Sequence, residues 1–202
     1  MNMAMDEVLL RRLDAPLLRI YRWARPAVSF GYFEKFEPVE NEYPFFDLVR
    51  RWTGGGVVSH GDDLTYSLLV PINEPFMGLS TSDSYRAIHE RIAGALRHCG
   101  LDASAAVQTC EKISQACFEN KTMYDIMLNN RKIAGAAQRR TKLGLLHQGS
   151  IQVVKLPVMF AENLATNFSA KIVDRKIQKT EIENAMALSE SKYATGAWTR
   201  KF

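Results

Sequence analysis

The chain has 202 residues, of which 47 % are apolar and 24 % are charged, and its formal net charge at pH 7 is +4. This composition is ordinary for a soluble globular protein, and the length favours one domain spanning residues 1–202. No apolar run approaches the roughly 20 residues of a membrane span, and the N-terminal segment lacks the pattern of a signal peptide. We therefore expect a cytoplasmic protein with no membrane association.

The mild basic excess, with a pI of about 9.0, suits an acidic protein partner or a nucleic acid. The chain has no zinc-type cysteine spacing and no base-stacking aromatic motif, so we expect no nucleic acid and no metal. Its three cysteines are Cys99, Cys110 and Cys117, and they form no CxxC pair. In the cytoplasm they would be reduced thiols, and we expect at most one of them to be catalytic.

In chain order, the hydrophobic pattern predicts helices and short strands without a strict βαβ alternation, which indicates an α+β fold. The predicted helices are an amphipathic one over residues 2–13 and others over about 81–99, 157–164 and 180–192. The predicted strands cover residues 17–23, 27–32, 64–70, 101–107, 123–128, 131–137 and 143–154. Residues 34–44 contain two prolines and are expected to form a loop or an irregular helix.

The sequence also predicts helix caps and a turn. One of Ser80, Thr81 or Ser82 is expected to cap the helix that starts near residue 81, and Gly100 stands where a C-terminal glycine belongs. Thr180 is the predicted cap of the last helix. Asn129-Asn130 is a turn signal between two predicted strands.

The chain is organised around a glycine-rich segment between two predicted strands. Arg50 and Arg51 precede the glycines of residues 54–56, and His60 follows four residues after the last glycine. Consecutive glycines let a ligand approach the main chain closely, and their N–H groups can face an anion or a carbonyl beside the arginines. A glycine-rich hairpin with a charged edge is the alternative.

A second group of residues surrounds Lys132, which follows the predicted turn. Small residues at 135–137 would let a chain-like ligand lie against this strand, although a lysine at a strand start is commonly a solvated end charge. Cys117 lies fifteen residues before Lys132 among polar neighbours. A thiol near this lysine would be shifted toward thiolate, the nucleophilic form. Cys99 ends an amphipathic helix and suits a packing role.

Both segments resemble the biotin/lipoate protein ligase catalytic-domain family. The first segment matches the family pattern at Arg50, Arg51, Thr53, Gly54, Gly55, Val58, His60, Leu64, Thr65, Tyr66 and Ser67. The second segment matches at Lys132, Ile133, Gly135, Ala137, Gln138, Arg140, Gly149, Ser150 and Ile151. The chain departs from the pattern in two places: Gly61-Asp62 follows His60 where relatives have Asp directly, and His147-Gln148 replaces Gln-His or His-His.

Further matches resemble the octanoyltransferase branch of that family. They are the N-M-A-x-D-E start at residues 2–7, Cys117-Phe118, the Tyr124-Asp125-Ile126 strand before Lys132, and the K-Y-A tail at residues 192–194 followed by Trp198. Lys121-Thr122 stands where relatives have Pro-Ser. Relatives normally begin with one more strand, which this chain is expected to lack.

The resemblance implies a class II biotin/lipoate ligase-like catalytic domain with a mixed, largely antiparallel sheet packed with helices. It implies transfer of an octanoyl (or lipoyl) group from acyl carrier protein to the lysine of a lipoyl-domain protein, a glycine-cleavage H protein or a dehydrogenase E2 domain. The transfer would pass through a Cys117 thioester assisted by Lys132, without a cofactor. The implied substrate-binding residues are Arg51, Thr53, Gly54, Gly55, Gly56, His60, Tyr66, Gly135, Ala137, Gln138, His147, Gly149 and Ser150.

Three other hypotheses remain at this point. In an ATP-dependent lipoate–protein ligase, the glycines and Lys132 would bind lipoyl-adenylate with ATP and Mg, and Cys117 would be incidental. A related amidotransferase would move octanoyl between two lipoyl domains through a Cys in the same region. A non-catalytic family member would only bind lipoyl groups or carrier domains.

Overall fold

A computed structural model describes residues 1–108, 122–152 and 156–202. Its helices are α1 (Asn2–Leu10), α2 (Phe36–Glu42), α3 (Thr81–His98), α4 (Phe160–Phe168), α5 (Lys179–Leu188) and α6 (Gly196–Thr199). Its strands are β1 (Leu17–Tyr21), β2 (Ala27–Phe30), β3 (Asp47–Arg50), β4 (Val58–His60), β5 (Leu64–Pro71), β6 (Ser104–Ala105), β7 (Ile126–Leu128), β8 (Arg131–Thr141) and β9 (Gly144–Ile151).

The larger sheet has six strands in the order β1-β5-β9-β8-β7-β6, and every neighbouring pair is antiparallel. The predicted α+β class with a largely antiparallel sheet is therefore confirmed. At its centre, β9 pairs with β5 and β8, so that Ser150 lies opposite both Thr65 and Gly135. This register places residues from three distant parts of the chain side by side.

The smaller sheet has the order β3-β2-β4. Strand β2 is parallel to β3 and antiparallel to β4. Ser29 pairs with Val58, and its neighbour Phe30 pairs with Arg50. Strand β2 thus lies between the two ends of the glycine-rich segment and brings Ser29 close to His60.

Both faces of the larger sheet are buried. Helices α3 and α4 cover one face, where Leu68 and Ile151 pack with Ile88 and Leu164. Helices α1 and α5 cover the other face, where Leu69 packs with residues such as Leu9 and Ala185. Because successive side chains of a strand point to opposite faces, cover on both sides explains why seven of the eight residues of β5 are buried.

Several local predictions are confirmed. The Ser80 side chain accepts a hydrogen bond from the backbone N–H of Asp83 at 3.0 Å and caps α3. Gly100 follows this helix with φ = 80°. Asn129 and Asn130 join β7 to β8 with φ values of 50° and 61°, the left-handed conformation that a tight hairpin requires at both central residues.

Several predicted boundaries are wrong, because long-range pairing decides where a strand ends. Strand β8 runs to Thr141 instead of 137, since β9 pairs with it from Ala134 to Thr141. The strand predicted over residues 101–107 is limited to β6, and the one predicted from residue 123 begins at Ile126. Helix α5 begins at Lys179, where the carboxylate of Glu181 accepts a hydrogen bond from Gln178 N–H at 2.8 Å, so Thr180 is not its cap. Residues 153 and 154 of the last predicted strand lie outside the described residues.

The first helix differs most from the sequence prediction. It ends at Leu10 instead of 13, and residues 3–10 are all buried, so it is not amphipathic in the expected sense. Asp6 is fully buried and accepts hydrogen bonds from Arg19 at 2.8 Å, Ser67 at 2.6 Å and Gln148 at 2.7 Å. Burial raises the pKa of Asp6 despite these partners. A buried carboxylate needs such partners, and they come from three other elements.

No helix in the described ranges is long and apolar enough to cross a membrane.

Gly149→Ala is expected to destabilise the fold, because a Cβ at this position would lie 2.4 Å from the hydroxyl and ring of Tyr66. Tyr66 is fully buried, so the ring would have to shift within a packed core, at a cost of about 1–3 kcal/mol. Chemical denaturation measures this loss. Gly61→Ala is the matched control, since its Cβ would meet no atom within 4 Å. Equal stability of the two variants would contradict the packing argument.

Candidate active site

A half-open cleft lies between the smaller sheet and the β5-β9-β8 part of the larger one. It encloses about 460 Å³ of empty space, part of it open to solvent. Seven of the predicted binding residues line it: Arg51, Gly55, His60, Gly135, Ala137, Gly149 and Ser150. The other lining residues are Met3, Tyr21, Trp23, Ser29, Val58, Thr65, Ala136 and Gln148.

The glycine-rich loop wraps around the side chain of Arg51. Its guanidinium Nη2 donates to the carbonyl oxygens of Gly54 at 2.9 Å and Gly56 at 2.7 Å. Gly55 has φ = 83°, and a Cβ on Gly31 would lie 1.9 Å from the Gly55 carbonyl oxygen. These glycines therefore also allow two segments of the chain, around Gly31 and Gly55, to approach each other closely. The loop holds the charge of Arg51 at the wall of the cleft.

Arg50 does not lie beside the glycines as the sequence suggested. Its side chain is buried on the opposite side, where it donates to the carbonyl oxygens of Tyr32 at 2.8 Å, Glu34 at 2.7 Å and Thr199 at 3.1 Å. Consecutive residues at a strand end point to opposite faces. Of the two arginines, Arg51 lines the cleft, and Arg50 joins three chain segments.

His60 is the centre of a relay of polar side chains in the cleft wall. Its Nδ1 lies 2.8 Å from Asp63 Oδ2, and its Nε2 lies 2.6 Å from the hydroxyl oxygen of Ser29. Asp63 also accepts hydrogen bonds from Thr65 at 3.0 Å and Ser150 at 2.7 Å. The acid that contacts the imidazole thus lies three residues after His60 in the chain.

The protonation states of this relay follow from burial and hydrogen bonding. Burial lowers the pKa of His60, and the neighbouring Asp63 offsets this only in part. Burial by itself would raise the pKa of Asp63, but hydrogen bonds from His60, Ser150 and Gly61 outweigh it and lower that pKa. At neutral pH the relay therefore holds a neutral imidazole beside an ionised carboxylate.

Lys132 is buried rather than a solvated strand end. Its Nζ lies 2.8 Å from Asp125 Oδ2, and both side chains are almost fully buried. Asp125 also accepts hydrogen bonds from the Tyr85 hydroxyl at 2.6 Å and from the backbone and side chain of Thr122 at 2.7 and 2.8 Å. A Cβ on Gly135 would lie 3.0 Å from the lysine Nζ. The absence of a side chain at Gly135 makes room for the ammonium group beside the cleft.

Tyr66 and His147 lie behind the cleft, on the face of the sheet that α3 covers. The Tyr66 hydroxyl is 3.1 Å from His147 Nε2 and 3.4 Å from His89 Nε2. Because His147 and Gln148 are consecutive in β9, their side chains point to opposite faces, and Gln148 is the one that lines the cleft. Gln148 also accepts a hydrogen bond from Thr53 at 2.9 Å.

The remaining predicted residues are placed as follows. Gln138 accepts a hydrogen bond from Ser84 of α3 at 3.1 Å and does not line the cleft. Cys117 and Cys110 lie outside the described residues. The described part of the chain holds no group of three or more His, Cys, Asp or Glu side chains that suits a metal ion.

Sequence reasoning did not single out Ser29, Trp23 or Gln148 as site residues, although all three line the cleft. A polar Ser29 within an otherwise apolar strand was an available signal, since buried polar groups need partners. Trp23 stacks on His60 with ring centroids 4.3 Å apart, and no pattern in the sequence indicates that contact.

Comparison with known proteins identifies the family of this chain. The family model described as the lipoyl protein ligase A/B catalytic domain matches residues 1–190. The chain belongs to this family. Among curated members of the lipoyl protein ligase A/B family, octanoyltransferase LipM of Staphylococcus aureus is 32 % identical over 94 % of this chain and 74 % of its own length. Octanoyltransferase LipM of Bacillus subtilis is 38 % identical over 74 % of this chain and 60 % of its own length.

A solved structure supports the fold. The lipoate protein ligase of a bi-partite system from Thermoplasma acidophilum superposes with a TM-score of 0.76, covering 98 % of this chain and 90 % of that one. The sequence identity is 23 %, so this likeness concerns the fold alone. The chain spans about three fifths to three quarters of the length of the two LipM relatives.

Proposed function

We propose that this chain is an octanoyltransferase of lipoate assembly, which transfers an octanoyl group to the lysine of a lipoyl-domain protein. The observation that carries the proposal is the buried Lys132–Asp125 pair, held next to Gly135 at the edge of a cleft lined by small residues. The two octanoyltransferase relatives support the same activity. The acceptor is a glycine-cleavage H protein or a dehydrogenase E2 domain, and the donor is octanoyl-acyl carrier protein.

The proposed chemistry has two steps. The Cys117 thiolate attacks the carbonyl carbon of the donor thioester, and the carrier thiol leaves with a proton. The amine of the acceptor lysine then attacks the enzyme thioester, which forms the amide and releases the Cys117 thiol. Because the donor is already a thioester, this sequence needs no ATP, metal or other cofactor.

The described residues prepare the cleft for this reaction. Lys132 would position the acyl carbonyl and assist proton transfer, and Asp125 holds its ammonium group in place. The acyl chain would lie along the part of the cleft wall that Gly135, Ala137 and Gly149 line. The net positive charge of the chain would favour docking of an acidic carrier protein. The proposal keeps the cytoplasmic location expected from the composition.

Intact-protein mass spectrometry tests the proposal. The purified chain is mixed with octanoyl-acyl carrier protein without ATP, and a mass gain of one octanoyl group is expected. The adduct should disappear when an apo lipoyl domain is added, as that domain gains the same mass. Without an adduct, formation of lipoyl-adenylate from lipoate and ATP would identify a ligase instead. Absence of both species would indicate a protein that only binds.

A further inference from the structure

In the cleft wall a serine contacts a histidine, and the histidine contacts an aspartate. This is the chain of hydrogen bonds that activates a hydroxyl nucleophile. Ser29 Oγ is 2.6 Å from His60 Nε2, and His60 Nδ1 is 2.8 Å from Asp63 Oδ2. The side chains are buried in the wall, and Ser29 and His60 line the cavity directly. None of the steps assigned to Cys117 and Lys132 uses them.

The surrounding contacts determine where the protons lie. Arg51 Nη1 donates to Ser29 Oγ at 2.8 Å. The serine hydroxyl donates to His60 Nε2, because the imidazole carries its proton on Nδ1, which faces Asp63. An ionised Asp63 accepts from His60 Nδ1–H, and hydrogen bonds from Thr65 and Ser150 fix the carboxylate. The imidazole is therefore held in the tautomer that a general base requires.

The site also has a fixed positive charge and cover from solvent. The Arg51 guanidinium beside Ser29 would stabilise negative charge that develops on an attacked carbonyl oxygen. The Trp23 ring stacks on His60, and its Nε1 donates to Thr65 Oγ1 at 2.9 Å. Met3 and Val58 add apolar surface to the same cleft, which suits an aliphatic acyl chain.

We propose that Ser29, His60 and Asp63 form a second nucleophilic centre that hydrolyses medium-chain acyl esters and thioesters. Ser29 Oγ attacks the carbonyl carbon while its proton passes to His60 Nε2. The alcohol or thiol leaves with that proton and leaves an acyl-serine. A water molecule then attacks the acyl-serine and gives a proton to His60. His60 returns this proton to Ser29 Oγ as the Ser–acyl bond breaks and the acid departs. This activity does not need Cys117.

An alkyl fluorophosphonate probe tests the nucleophile, because an activated serine displaces its fluoride and forms a stable Ser–P bond. The chain with Cys117→Ala is treated with the probe, digested and analysed by peptide mass spectrometry. Labelling of Ser29 is expected. Ser59 is exposed in the neighbouring strand β4 and should remain unlabelled. Because Ser29, His60 and Asp63 are not substituted in this experiment, an unlabelled Ser29 would overturn the proposal.

Hydrolysis of p-nitrophenyl octanoate is the second measurement, again with Cys117→Ala throughout. Adding Ser29→Ala or His60→Gln should lower the rate by about 100-fold or more, and Ser59→Ala should leave it unchanged. A rate that Ser29→Ala does not alter would also overturn the proposal. Octanoyl transfer is measured separately on the chain that retains Cys117, so failure of either activity is distinguishable from failure of the other.

Discussion

Cys117→Ser is expected to abolish octanoyl transfer, with the rate falling by at least about 1,000-fold. A serine hydroxyl stays protonated at neutral pH, whereas a thiol near a lysine ammonium is shifted toward thiolate, the attacking form. The measurement is the mass of an apo lipoyl domain after incubation with octanoyl-acyl carrier protein. Peptide mass spectrometry of the enzyme should show no octanoyl group at position 117 in the same experiment.

Cys99→Ser is the matched control and should retain transfer. Cys99 lies at the end of α3, where Asn163 Nδ2 donates to its sulfur at 3.3 Å, a contact that a serine oxygen can also accept. Cys110→Ser is expected to behave like Cys99→Ser. Full activity in all three variants would show that the nucleophile assignment is wrong.

Acid is expected to destabilise the fold well before the carboxylates are protonated, because histidines are buried in their neutral form. Burial lowers the pKa of His89 to about 4, and it lowers the pKa of His147 well below its ordinary value. In the unfolded chain both would titrate near 6.5. Between these values the unfolded state binds more protons than the folded state, so stability falls as the pH decreases from about 6.5 toward 4.

The size of this effect is several kcal/mol. A shift from 6.5 to about 4 corresponds to about 3 kcal/mol for His89, and His147 adds to it. The raised pKa of Asp6 has the opposite sign and offsets part of the loss. The lowered pKa values of Glu7 and Asp63 act only below about pH 4.5, where the unfolded carboxyl groups begin to be protonated.

Urea denaturation at pH 7.5 and at pH 4.5 measures the difference in the free energy of unfolding. His89→Gln should reduce the dependence on pH, because glutamine does not titrate. His98→Gln is the matched control on the same helix, since His98 is exposed, and it should leave the dependence unchanged. If the two variants behave alike, buried histidines are not the source of the acid sensitivity.

Caps and turns of the structure could be predicted from the sequence, because they depend on residues that are close together in the chain. Ser80 caps α3 because its side chain reaches an N–H three residues away, and Asn129-Asn130 turns because asparagine tolerates positive φ. The family match at Arg51 and His60 was also readable, since it is a pattern along the chain. The fold class and the position of the glycine-rich loop were accordingly predicted correctly.

The sequence by itself therefore determined the family, the fold class and most of the elements of this protein. Only the tertiary structure decided that Arg51 rather than Arg50 lines the cleft, that Gln148 rather than His147 does, and that Lys132 is buried against Asp125. Those outcomes depend on strand register, because a shift of one residue exchanges the two faces of a sheet. The register in turn is determined by pairing between strands that are far apart in the chain.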